Sequence, residues 1–95
     1  MLEKVRDEIE LMQRHIQVVR AVVGHQPIGI MKLSEQLDLP FHRIRYSLRV
    51  LEQLGYIQAS PSGAVATKRA EEMLLHLDEE LDAMMDLLRS MKKND

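Results

Sequence analysis

The chain of 95 residues contains no cysteine. Disulfides, thiol catalysis and cysteine-ligated zinc are therefore excluded, and a reducing cytoplasm fits. Aromatic residues make up only 3%. With seven Met and a single Phe, the expected core is aliphatic and adaptable. No run of 18 or more apolar residues occurs, so no membrane span is expected. The opening MLEKVRDEIE mixes both charge signs and lacks the apolar middle of a signal peptide. Neither a phosphate-cradling glycine loop nor a nucleophile elbow is found.

What remains is a soluble, helix-leaning profile, with 45% apolar and 29% charged residues. One small domain with helical extensions is the natural reading. Its core would be modest, so burial in a dimer would help it.

The formal net charge is −2, which argues against a generally adhesive nucleic-acid binder. Its distribution is more telling. Residues 24–70 carry Lys32, Arg43, Arg45, Arg49, Lys68 and Arg69 against Glu35, Asp38 and Glu52. Residues 71–95 are strongly acidic. A basic face on an acidic protein can still steer an anionic partner.

Both ends show heptad spacing. Leu2, Val5, Ile9, Met12, Ile16, Val19 and Val23 recur at intervals of 3, 4, 3, 4, 3 and 4. Leu11, Val18 and Val22 widen that stripe. Leu74, Leu77, Leu81, Met84, Leu88 and Met91 recur at 3, 4, 3, 4 and 3. Two long helices are expected, the first ended by Gly24 and Pro27, the second capped by Thr67 and running to Lys92. Such seams pack either within one chain or between chains. Narrow stripes on a small central unit favour pairing between chains. The expected pairing residues are Val5, Ile9, Met12, Ile16, Val19, Leu74, Leu77, Leu81, Met84 and Leu88.

The middle reads as a compact unit. Ile28–Ile30 is a short extended piece, and Ile30–Leu37 a short helix with Ile30, Leu33 and Leu37 on one face. "DLP" makes a turn. A helix over Pro40–Leu54 follows, ended by Gly55. "YIQAS" and "AVAT" read as strands joined by Pro61–Ser62–Gly63. On the third helix, Ile44, Leu48 and Leu51 face inward. His42, Arg45, Tyr46 and Arg49 form an outward band, with Arg43 beside it. No acid occurs from Leu39 to Leu51. A helix fits the DNA major groove, and arginine forks bond guanine edges or phosphates.

The stretch MKLSEQLDLPFHRIRYSLRVLEQLGYIQASPSGAVAT resembles the winged helix-turn-helix of prokaryotic transcription regulators, small archaeal predicted regulators in particular. Leu51, Leu54, Gly55, Tyr56 and Ile57 carry the most telling part. AVATKRAEEML is similar to the passage from wing into helix in MarR-like and ArsR-like proteins. The resemblance covers residues 28–75. It implies a mostly α, α+β winged helix, with the DNA-binding unit over 25–66; the heptad seams add an N-terminal dimerisation helix over 1–24 and a C-terminal one over 67–95. The resemblance places the recognition helix on 40–54 and the wing on 56–67, with its tip at Ser60–Gly63. The implied DNA contacts are His42, Arg43, Arg45, Tyr46, Arg49, Ser62, Lys68 and Arg69. Tyr46 either touches DNA or packs beside the wing. The wing tip lacks the Arg or Lys many relatives insert there.

His15, His25, His42 and His76 have no helical ligand spacing, so no metal and no cofactor are expected. His15 and His76 flank the helix seams. Glu71, Glu72, Asp78, Glu79, Glu80, Asp82 and Asp86 read as a solvated helix face, not as acid–base chemistry. No enzyme is expected. The leading expectation is a cytoplasmic homodimer that binds double-stranded DNA and regulates transcription. The alternative is a winged-helix protein-interaction module within a transcription or chromosome complex.

Overall fold

The computed structural model describes residues 1–93. Helix α1 spans Leu2–His25, α2 Ile30–Leu37 and α3 Phe41–Gln53. Strands β1, Ile57–Ser60, and β2, Gly63–Ala66, form an antiparallel hairpin. Helix α4, Lys68–Ser90, follows. The architecture is mostly helical with one small sheet.

The elements start and stop where local chemistry dictates. Helix α1 continues through Gly24, one residue past the expected end. It stops at Gln26, whose ψ of 144° is extended, as Pro27 requires of its neighbour. Helix α2 ends on Asp38 in the left-handed conformation. Pro40 is the N-cap of α3 rather than its first residue. Gly55 follows that helix at φ +83°, a value that costs glycine little. Thr67 caps α4 by accepting from the Ala70 N–H at 3.3 Å, and its own hydroxyl donates to the Gly55 carbonyl at 2.7 Å.

The core gathers one face from each element. Val18, Val19 and Val22 of α1 meet Leu33 of α2, Ile44 and Leu51 of α3, Ile57 and Ala64 of the hairpin, and Ala70 of α4. Each fully buried aliphatic side chain contributes about 1.5–3 kcal/mol. A third segment joins the hairpin. Ile28 and Ala64 exchange backbone hydrogen bonds of 3.1 and 2.8 Å. The strand order is therefore Ile28, β2, β1. Gly63 is required beneath this crossing, because a Cβ there would lie 2.6 Å from the Ile28 carbonyl carbon.

The terminal helices outrun this core. Cα atoms extend 57 × 26 × 22 Å with a radius of gyration of 15.2 Å. A compact chain of this length would have about 12 Å. Leu2, Val5 and Ile9 of α1, Met84 and Leu88 of α4, and Met91 at its C-cap remain exposed.

Candidate nucleic-acid interface

Helix α3 is held from below by Ile44, Ser47 and Leu51, all buried. Residues that far around the helix leave the opposite side free. His42, Arg45 and Arg49 lie on that side and are exposed, and Tyr46, also exposed, stands at its edge towards α1. Among the described residues the ion pairs are His76–Glu79 and Asp86–Arg89. Arg43, Arg45 and Arg49 take part in neither, so among the described residues no carboxylate lies within ion-pair distance of them. Their donors remain available to an external anion.

Arg43 sits apart from the band. It lines a cleft shared with Asp7, Glu10, Arg14 and Gln17 of α1, so carboxylates on α1 face it. Arg49 occupies the other flank. It lines a cleft of about 260 Å³ with Glu52 of α3, Gly29, and Ser60 and Gly63 at the hairpin turn. Arg49, at one end of the outward band, therefore shares a hollow with the hairpin turn. Ser62 is exposed at the tip, its N–H donating to the Ser60 hydroxyl at 3.3 Å.

Tyr46 packs neither free in solvent nor beside the hairpin. Its ring centroid is 6.0 Å from that of His15, and the Arg14 guanidinium lies 5.8 Å from the ring centre. The physical reason is the wheel position of Tyr46, which turns it towards α1. About half of it stays exposed. Arg69 is likewise engaged, 5.3 Å from the Tyr56 ring centre and beside Gly55. That puts it at the C-terminal end of α3, roughly 15 Å along the helix from Arg45. Lys68 is exposed at the first residue of α4.

Below the band lies a polar cluster. Ser47 is the buried polar residue of the core. The Arg14 Nε–H donates to its hydroxyl at 3.1 Å, and His15 Nδ1 lies 2.8 Å from the same oxygen. Burial first, and Arg14 second, lower the His15 pKa below its ordinary 6.5. The periodicity of α3 carries one usable signal for this cluster. Ser47 falls between Ile44 and Leu51 on the inward face, and a buried hydroxyl needs partners.

A second concave surface lies on the other side of α1. It is an apolar groove of about 540 Å³ between α1, the end of α3 and α4. Met12, Ile16, Leu54, Leu77 and Met84 line it, with Glu8 and Glu80 at its rim. Several expected pairing residues prove to be internal instead. Val19 is fully buried in the chain's own core and Leu77 nearly so. Met12, Ile16, Leu74 and Leu81 are partly covered. The wider stripe through Val18 and Val22 is what turns this half of α1 inward.

The fold is similar to a phage protein domain. The activation domain of the phage T4 transcription factor MotA matches with a TM-score of 0.59, over 79% of each chain and at 18% identity. That likeness establishes a shared fold. No protein-family model and no curated protein matches the chain. No helix among the described residues is long and apolar enough to cross a membrane.

Proposed function

We propose that this chain is a winged-helix transcription regulator that binds double-stranded DNA sequence-specifically, without catalysis, as a homodimer in the cytoplasm. The observation that carries the reading is the unpaired basic band of α3. Arg45 and Arg49 stand on an exposed helix face, and Arg49 lines a hollow that ends at the hairpin turn. In this reading α3 enters the major groove. His42, Arg45 and Arg49 read bases or phosphates, and Ser62 approaches the backbone. Arg43 and Tyr46 contribute at the edge of the contact. Lys68 and Arg69 reach flanking phosphates. The exposed apolar ends of α1 and α4 pair two copies, so two α3 helices reach successive turns of DNA.

A protein-interaction module is the second reading. The apolar groove between α1 and α4 and the net charge of −2 favour it. The structural similarity to a transcription-factor activation domain is compatible with either.

Fluorescence anisotropy separates them. The protein is titrated with duplex from its own upstream region and with scrambled duplex, across a range of salt. Tighter binding to the upstream duplex, weakening steeply as salt rises, is the expected result. No binding to either duplex at low salt would reject the DNA reading and support the protein-interaction one.

A further inference from the structure

The distal half of α4 carries an uncovered apolar strip. Leu74 and Leu77 pack on the chain's own core. Past them, Leu81 is half-buried, while Met84, Leu88 and Met91 are exposed. Met85 and Leu87 flank the strip and are exposed as well, Leu87 to 61%. Isolated apolar residues on a surface are ordinary, but five on one stretch of helix with a sixth, Met91, at its C-cap form a patch.

Charge decides what fits it. Asp78 stands at one end of the strip and Lys92 at the other, both exposed. An antiparallel copy of the same helix reverses that order. Acid then meets base at both ends of the contact.

Heptad geometry allows two antiparallel registers. One sets Leu81 against Met84, Leu77 against Leu88 and Leu74 against Met91. It needs Leu74 and Leu77, which the core already covers. It also presses Asp78 onto Met85 and Glu80 onto Leu87, which desolvates carboxylates without a partner. The other sets Met84 against Leu88 and Leu81 against Met91. It uses only side chains that are exposed or half-exposed. Met85 then faces Met85 on one flank, with Asp78 beside Lys92 at both ends of that flank, and Leu87 faces Leu87 on the other.

We infer that a second copy of this chain docks on α4 antiparallel, in the second register, with the two-fold axis level with Asp86. This rests on the homodimeric reading above and specifies its contact. Asp86 itself points away from the seam, so the axis brings no like charges together.

Single-cysteine variants test the register cleanly, because the chain has no cysteine of its own. Met85→Cys and Leu87→Cys should each give a covalent dimer with a short bismaleimide. Leu75→Cys, exposed but off the seam, should give none. Sedimentation equilibrium supplies a second readout at low salt. Asp78→Lys should weaken self-association about tenfold, and adding Lys92→Asp should restore it. A dimer that crosslinks equally through Leu75→Cys, or that ignores the charge reversal, would overturn the register and leave a homodimer standing. A monomer at every concentration that still binds its upstream duplex would overturn both the contact and the homodimer, and leave the DNA reading intact.

Discussion

The Nδ1 nitrogen of His15 lies 2.8 Å from the Ser47 hydroxyl, so a side chain of α1 is tied to the inward face of the basic helix. Arginine only donates, and Arg14 Nε donates to the same oxygen at 3.1 Å. A hydroxyl oxygen has two acceptor sites, so the His15 tautomer decides whether Nδ1 donates to Ser47 or accepts from it. Both α1 residues also pack against Tyr46. The tilt of α3 is therefore set by α1 through polar contacts as well as through the valines.

Ser47→Ala should destabilise the fold by about 1–3 kcal/mol, because two partners lose a buried hydrogen bond while packing volume hardly changes. Urea denaturation reads this as a lower midpoint with an unchanged slope. An unchanged midpoint would show that water replaces the hydroxyl at no cost.

The pH dependence follows from the same cluster. Folding lowers the His15 pKa below 6.5. The unfolded chain therefore binds the proton more readily. Stability from this group is complete above pH 6.5. It is lost as pH falls from there through the lower folded-state value. Denaturation midpoints of wild type and His15→Gln, measured between pH 8 and pH 5, should diverge in their slope with pH. Parallel curves would exclude His15 as the source.

Arg45→Ala and Arg49→Ala should each cost about 1–3 kcal/mol of affinity for the upstream duplex if they contact bases, and relax its preference over scrambled DNA. If a substitution removes a phosphate contact instead, the salt slope drops by about one and both duplexes weaken alike. Arg43→Ala should cost less than either, since carboxylates of α1 face that side chain. Anisotropy across salt distinguishes the cases. Equal affinity for all variants would remove the band from the interface.

Gly63→Ala should destabilise by about 1–3 kcal/mol through backbone strain alone, since φ is +131°. The added Cβ would also push against the Ile28–Gly29 backbone. Loss of native-state exchange protection at the Ile28 and Ala64 amides would locate the damage. Full protection would mean that the crossing can widen.

Much of the fold was legible because its punctuation is local. Ile30–Leu37 was readable from three apolar residues, and α3 from Pro40 and Gly55. Thr67 announced α4 through its cap. The seams misled where periodicity says apolar but not against what. Val19 fits a heptad stripe as well as a globular one, and only Val18 and Val22 beside it decide for the core. The Arg14–His15–Ser47 cluster joins residues more than thirty positions apart, and no spacing rule reaches that far. The basic band was visible because a helix wheel needs only local sequence. Its separation from Arg69 was not, because that depends on how α4 leaves the hairpin.

Helix α1 is one rigid rod with its fulcrum at the valines and a free end at Val5. From Val19 to Val5 the rod measures roughly 21 Å. A tilt of about 10° at the fulcrum sweeps the free end by roughly 4 Å along such a rod. The tie to Ser47 sits close to the fulcrum, at Arg14 and His15, so the same rod that carries the free end also touches the helix of Arg45 and Arg49.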